Sequence, residues 1–419
     1  MNYGLIGGKL GHSHSPQLHA ALGTTDYQLL ECTPATLDAF LKEKTFAGIN
    51  VTIPYKETVL SYLDEIDPKA KEIGSVNTII HEQGRLKGYN TDYHGIRYLL
   101  AKHEVLIKQQ KVLILGSGGT SKTAQVVMQD LCAKEILVVS RDHKQGRDGI
   151  TFLTYEEIQA GYDADVVINT TPIGMYPNSD AQVIDLLCFT CHTVIDVIYN
   201  PLQTALLYQA AQLGKKAVGG LEMLVAQAVH ANALFQKKEH SVARIHELYV
   251  ELYRSLVNIV FIGMPGSGKS SIALQVAQSV NKTMQDMDLL IEAEANQTIA
   301  QLFQQYGEAH FRSFEHELAV RLASKQNQVL STGGGIVKNK ENIRSLKQNG
   351  LLFFIDREVQ QLELSDKRPL SQTREANLRL YEERYPLYLD ASDAVITNNG
   401  SEEEAIKQIM EEYHEITSH

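Results

Sequence analysis

Gly263-Met264-Pro265-Gly266-Ser267-Gly268-Lys269-Ser270 is the segment whose residue types and spacing say most about chemistry. It follows an apolar run, Ile259–Ile262, and precedes a helical pattern over Ser271–Val280. That is the strand–loop–helix setting a GxxxxGK[ST] phosphate loop requires. Its glycines let the backbone wrap a polyphosphate, so several N–H donors and a helix N-terminus face negative charge. Lys269 would reach the transferred phosphoryl group, the Ser270 hydroxyl would hold Mg²⁺, and Ser271 would open the helix beneath the phosphates. The loop specifies a nucleoside triphosphate and leaves the acceptor open. Downstream, Asp286-Met287-Asp288 stands where a second strand should end. Two carboxylates two apart on a strand share a face. One, Asp286, could bind Mg²⁺ through water while the other, Asp288, takes the acceptor's proton. Alone, such a pair is more often a solvated turn.

A second nucleotide signal lies in the first half. Val112-Leu113-Ile114-Leu115 runs into Gly116-Ser117-Gly118-Gly119-Thr120-Ser121, a strand followed by a glycine turn and a helix. The pattern is GxGGxS rather than GxGxxG, so the third, packing glycine is missing. The next strand, Ile136–Val139, ends in Ser140-Arg141-Asp142. An NAD-selective site usually places an acidic residue at that strand's end. Arg141 instead offers a guanidinium to a 2′-phosphate, with Lys144 assisting, so NADP is favoured over NAD. Asp142 is the residue that speaks the other way.

These loops need parallel sheets to hold them. Short apolar runs alternate with helical patterns over most of the 419 residues, including Leu5–Ile6, Ile49–Ile53, Val166–Ile168, Val194–Val197, Val329–Leu330, Leu351–Ile355 and Val395–Ile396. That alternation marks α/β domains, and the length implies two or three of them. Ile245, Leu248, Tyr249, Leu252 and Leu256 recur at helical spacing in a stretch without glycine or proline, which predicts a stiff junction with the break near 254–257.

A hydrophobic content of 43% and a charged content of 21% are those of a soluble globular chain. The net charge of −11 argues against a nucleic-acid partner. With no long apolar window and no leader pattern at the N-terminus, a cytoplasmic protein with no membrane partner is expected. A homo-oligomer is allowed, and nothing in the composition decides it. The four cysteines are too few for a disulfide scaffold. Two of them form Cys188-Phe189-Thr190-Cys191-His192, which matches a haem-attachment pattern. We read it as a coincidence in a loop before a strand.

Taken in order, the motifs of the second half resemble shikimate kinase over about 257–415. The phosphate loop and Asp286-Met287-Asp288 are followed by Gly307-Glu308-Ala309-His310-Phe311-Arg312-Ser313-Phe314-Glu315, Thr332-Gly333-Gly334-Gly335, Arg368-Pro369-Leu370 and Glu383-Arg384-Tyr385-Pro386-Leu387-Tyr388. The resemblance implies that Asp288 binds shikimate hydroxyls and acts as base. It implies that Arg312 and Arg384 clamp the substrate carboxylate, as guanidinium forks do well, and that Gly333, Gly334 and Gly335 offer backbone N–H groups. Arg368 would come from a lid onto the phosphates of ATP. Two departures stand out: the lid stretch 363–373 is short, and Thr397-Asn398-Asn399-Gly400 lacks an arginine that often packs against adenine in this family.

The first half resembles shikimate dehydrogenase over about 1–255. The residues that carry this are Gly11-His12-Ser13-His14-Ser15-Pro16, Gly48–Lys56, Gly74-Ser75-Val76-Asn77-Thr78, Asn90-Thr91-Asp92, Asn169-Thr170-Thr171-Pro172-Ile173-Gly174-Met175, Asp196–Pro201 and Gly220–Gln227. The resemblance implies that Lys56 exchanges the hydroxyl proton while Asp92 positions it. Ser13 and Ser15 would hold the carboxylate, and Thr52, Asn77 and Gln227 the ring hydroxyls. Tyr199 would line the pocket. Thr170, Met175 and Gly220 would lie along the cofactor. Alone, Lys56 reads as a surface helix start and Asp92 as a helix cap.

The expected architecture is an α/β substrate-binding domain (1–100, with helices from 221–255 packing back), a Rossmann NADP-binding domain (101–220) and a P-loop, nucleoside-monophosphate-kinase-like α/β domain (257–419). The expected chemistry is NADPH-dependent reduction of 3-dehydroshikimate followed by phosphorylation of shikimate. Other readings are a quinate/shikimate dehydrogenase with an impaired kinase, and a non-catalytic shikimate-sensing regulator. Such a regulator should have lost Lys56, Asp92, Lys269 or Asp288, yet all four are present.

Overall fold

The computed structural model describes residues 2–11, 13–142, 146, 149–363 and 373–418. Lys144 and Arg368 lie outside the described residues, as does most of the short lid stretch. The chain divides into two compact units, 1–249 and 250–419, the division falling inside the helix Val242–Leu256. Ile245, Leu248, Leu252 and Leu256 of that helix are buried.

The first unit holds two sheets. Strands β1 (Tyr3–Gly7), β2 (Tyr27–Glu31), β3 (Gly48–Val51), β4 (Glu65–Ile66), β5 (Thr78–Glu82) and β6 (Arg85–Tyr89) form a mixed sheet in the order β2-β1-β3-β5-β6-β4. Strands β7 (Lys111–Leu115), β8 (Glu135–Ser140), β9 (Ile150–Thr154), β10 (Val166–Asn169), β11 (Thr193–Asp196) and β12 (Lys216–Val218) form a parallel sheet. Its order, β12-β11-β10-β7-β8-β9, is that of a doubly wound dinucleotide fold. Both faces of this sheet are covered. Val112, Ile114, Val138 and Ile168 pack into one cluster, while Leu113, Leu115, Val139 and Val167 pack into the other. Period-2 alternation between two buried faces is why such strands read as continuous apolar runs.

The second unit is a parallel sheet of β13 (Asn258–Ile262), β14 (Thr283–Asp286), β15 (Gln328–Ser331), β16 (Gly350–Asp356) and β17 (Ala394–Thr397), ordered β14-β15-β13-β16-β17. The helix after β13 starts at Lys269, two residues before the expected Ser271.

One local expectation is corrected. Asp288 is not on a strand: β14 ends at Asp286, and Asp288 lies in the first turn of the helix Met287–Ala295. The Asp286 carboxylate caps that helix, accepting from Asp288 N at 3.0 Å and Leu289 N at 3.2 Å. An aspartate that can satisfy two orphan amides makes an N-cap, and this ends the strand. The helix Ile299–Ala323 is likewise broken at Gly307, whose φ of 81° and ψ of 171° favour glycine. Beyond the break, Arg312 lines the same cavity as the phosphate loop.

Candidate functional sites

In the first unit Lys56 follows the turn that ends β3, and its Nζ lies 2.5 Å from Asp92 Oδ2. The two side chains are 14% and 7% exposed, so Lys56 is not the surface group it would be if read alone. Asp92 opens the helix Asp92–Lys102 but does not cap it. Its other oxygen accepts from Asn77 Nδ2 at 2.9 Å, and Asn77 also takes Thr91 N at 2.7 Å. A lysine, a carboxylate and an amide from three elements are thus locked into one buried network.

The dinucleotide side meets this network directly. Lys56 Nζ lies 3.5 Å from Thr120 Oγ1. A β-carbon on Gly119 would fall 2.8 Å from Ser75 Oγ and 3.3 Å from Lys56 Cβ, so only glycine admits this approach. Gly118 heads the helix Gly119–Asp130 without a side-chain cap, which leaves its first N–H groups to a phosphate. Ser117 and Gly116 complete the turn, and Ser121, in place of the missing third glycine, is buried and donates to Gly116 O at 2.7 Å. At the end of β8, Ser140 is buried and donates to the Asp142 carbonyl, while Arg141 and Asp142 are exposed. These residues fit a dinucleotide carrying a 2′-phosphate.

The other expected residues of the first unit have mostly local partners. Ser15 is buried in the first turn of a helix, with its N–H 3.3 Å from Ser13 Oγ. The His14 ring between them lies 6.0 Å from that of Tyr199, edge to face. Burial pushes the Tyr199 phenol up. Thr52 N donates to Ile6 O. Gln227 donates to Leu224 O at 2.8 Å within its own helix. Thr170 Oγ1 is bound to Leu115 O at 2.7 Å, and Met175 is 41% exposed. Gly220 is required by the backbone just after β11, because a β-carbon would fall 2.1 Å from Val197 O.

Asp196, just before Tyr199, is fully buried and accepts from Asn169 Nδ2, Ile198 N and Thr204 Oγ1. Burial raises its pKa from 3.8 to about 6, against the pull of those hydrogen bonds. A carboxyl whose folded pKa is raised favours the fold fully below the unfolded value and loses that contribution as pH rises through the folded one. Asp196→Asn should therefore gain stability over the wild-type chain at pH 7–8, by up to a few kcal/mol. The advantage should shrink as pH falls from about 6 to 4, read by urea unfolding at each pH. A difference independent of pH would refute it.

In the second unit a cavity of about 300 Å³ is lined by Pro265, Gly266, Lys269, Asp288, Arg312, Gly333 and Arg384, among others. Lys269, 7% exposed, donates to the Gly263 and Met264 carbonyls at 3.0 and 2.8 Å, bracing the loop it belongs to. Ser270 Oγ donates to Asp286 Oδ2 at 2.5 Å, so a hydroxyl and a carboxylate converge as a hard cation needs. Ser271 bonds Gly268 O and Glu402. Ser267 Oγ is buried without a partner among the described residues.

Arg312 is held by Glu315 at 2.7 Å and by Glu308 at 3.1 Å. Burial disfavours its charge, yet the two carboxylates more than offset this and raise its pKa. Burial pushes Glu315 up in turn, with Arg312 opposing. Glu315 received no role of its own in the sequence reading, although its i,i+3 spacing from Arg312 is a legible pairing signal. Gly333 and Gly335 are demanded by these side chains and Asp288. A β-carbon on Gly333 would fall 2.8 Å from Glu315 and 2.9 Å from Asp288, and one on Gly335 2.2 Å from Arg312. Arg384 is 2% exposed and donates through Nη1 to Gly334 O at 2.9 Å. Its Nε and Nη2 have no partner among the described residues, an arrangement that invites an anion.

Comparison with known proteins relates each unit to a family. Residues 5–79 match the shikimate dehydrogenase substrate binding domain and residues 265–414 match shikimate kinase. The shikimate dehydrogenase (NADP(+)) of Clostridium beijerinckii is 41% identical over 248 residues, spanning 56% of this chain and 92% of that protein. That of Clostridium perfringens strain 13 is 38% identical, spanning 60% and 97%. Among solved structures, shikimate dehydrogenase 1 from Peptoclostridium difficile aligns with a TM-score of 0.57 at 35% identity, covering 60% of this chain and 98% of that one. A chorismate mutase/shikimate 5-dehydrogenase fusion from Clostridium acetobutylicum aligns with a TM-score of 0.54 at 36% identity, covering 60% and 96%. The chain belongs to the shikimate dehydrogenase family through its first unit and carries a shikimate kinase domain in its second.

Proposed function

We propose that this bifunctional enzyme of the shikimate pathway reduces 3-dehydroshikimate to shikimate with NADPH and then phosphorylates shikimate to shikimate 3-phosphate with ATP and Mg²⁺. One observation supports the reading: each unit holds a group of charged side chains largely withdrawn from water, Lys56 with Asp92 in the first and Lys269, Arg312 and Arg384 in the second. The hydroxyl made in the first reaction is the one consumed in the second.

In the first site, bound NADPH supplies the hydride. The Lys56 ammonium gives its proton to the developing alkoxide, and Asp92, itself held by Asn77, keeps the Nζ in place. Ser13 and Ser15 hold the carboxylate, Thr52, Asn77 and Gln227 the ring oxygens, and Tyr199 closes one wall. In the second site, Arg384 and Arg312 fix the carboxylate by charge-assisted hydrogen bonds. Asp288 takes the proton of the attacking hydroxyl. Lys269 and the loop amides hold the phosphates, and Ser270 and Asp286 hold Mg²⁺.

A cytoplasmic location and small-molecule partners alone belong to the same proposal. It is supported by the net charge of −11 and by the absence, among the described residues, of any helix long and apolar enough to cross a membrane.

The test is to give the pure chain 3-dehydroshikimate, NADPH, ATP and Mg²⁺ and to look for shikimate 3-phosphate. Shikimate accumulating unphosphorylated would leave only the first half of the reading standing. Cofactor choice is a separate prediction. Arg141→Ser should raise KM for NADP⁺ by about ten- to a hundredfold, the value of a charge-assisted bond or two to the 2′-phosphate. KM for NAD⁺ should hardly move. A wild-type preference for NAD⁺ would overturn this role of Arg141.

A further inference from the structure

The sheet of the second unit reverses its strand order between β13 and β16. In an open α/β sheet, ligands bind in the crevice beyond the carboxyl ends of the strands at such a reversal. One wall of that crevice is the phosphate loop after β13. The other is Arg357, which follows Asp356 at the end of β16 and which the motifs leave without a role. Register draws the two walls together: Ile262 stands opposite Phe354, and a β-carbon on Gly263 would fall 2.6 Å from Ile355 O.

Arg357 is half-buried, and its Nη1 lies 4.0 Å from where a β-carbon on Gly268 would be. Its Nε is buried with no hydrogen-bond partner among the described residues. A guanidinium N–H removed from water without an acceptor is costly, and a ligand would relieve that cost. The neighbouring loop is tied in place around it. Asn398 N donates to Asp356 O at 2.8 Å, Asn398 Nδ2 donates to Ser267 O at 2.7 Å, and Glu358 N donates to Asn399 Oδ1 at 2.8 Å.

Direction follows from topology. β15, whose loop carries Gly333–Gly335 and the acceptor cavity, flanks β13 on the side opposite β16. With the phosphates in the loop and the acceptor toward β15, the rest of the nucleotide must extend toward β16 and β17. Resting on the kinase reading above, we propose that Arg357 holds the base and ribose of the phosphoryl donor. A planar guanidinium suits this because it can stack on a base and still donate from Nε.

The experiment titrates the full chain with MgADP by calorimetry in saturating NADP⁺, and separately with inorganic tripolyphosphate. Arg357→Ala should weaken ADP about tenfold, as loss of a desolvated stacking contact does, and leave tripolyphosphate unchanged. Arg357→Lys, which keeps the charge without the plane, should recover only part. In turnover KM for ATP should rise while KM for shikimate and the NADPH-dependent activity stay put, the unchanged tripolyphosphate affinity and shikimate KM reporting an intact second unit. Unchanged ADP affinity would overturn the assignment, and so would equal weakening of ADP and tripolyphosphate. A wild-type chain that bound no ADP would overturn the kinase reading, and this assignment with it.

Discussion

Lys56→Ala should cut NADPH oxidation by 3-dehydroshikimate by about 10³-fold or more while ATP-dependent phosphorylation of shikimate continues at its wild-type rate. Positioned proton transfer is worth about 10² to 10⁴. The loss should stand near the top of that range, because Lys56 Nζ is the cation placed against Asp92 and beside Thr120 at the head of the cofactor helix. The effect should fall on kcat more than on KM, since Ser13, Ser15 and Gln227 remain to hold substrate. If the substitution stopped both reactions in a folded chain, two independent sites would be the wrong description. If it left the reduction intact, Lys56 would not be the proton donor.

The second large effect concerns Arg384. Replacing it by Met, which roughly keeps its length without its charge, should lower kcat/KM for shikimate phosphorylation by about 10²- to 10³-fold. Truncating one partner of a buried charge pair costs 2–5 kcal/mol. A merely structural arginine would lower the unfolding temperature instead. Here the opposite sign is expected for the ligand-free chain: Nε and Nη2 are buried without partners, and removing an incompletely paired buried charge is neutral or stabilising. Shikimate should raise the unfolding temperature of the second unit's transition in the wild-type chain and not in Arg384→Met. A variant with lower stability and unchanged KM would place Arg384 in the scaffold.

Legibility differed between the halves for physical reasons. The phosphate loop is local: its donors, lysine and hydroxyl come from eight consecutive residues, so spacing alone exposes it. Lys56 and Asp92 are separated by β4, β5 and β6, and alone Lys56 looks like a surface helix start and Asp92 like a helix cap. Only pairing of β3, β5 and β6 brings them to 2.5 Å. Asp288 was assigned to a strand because period 2 placed it beside Asp286, yet the N-cap preference of Asp286 won and moved it onto a helix. Short strands such as β4 and β12 carry too few residues for any periodicity to register. Ser121 shows the reverse, a departure from the GxGxxG pattern that packs without penalty because its hydroxyl turns back onto Gly116 O.

The sequence by itself determined that two nucleotide-dependent α/β enzymes share one chain, because phosphate loops and apolar strand periods are written in neighbouring residues. Tertiary structure alone decided which glycines are obligatory and which charges lie unsatisfied. Gly119, Gly333 and Gly335 are needed for what approaches them from distant segments, and guanidinium nitrogens of Arg384 and Arg357 lie buried without a partner among the described residues. Close approach and desolvation depend on the packing of remote elements, and no local pattern encodes them.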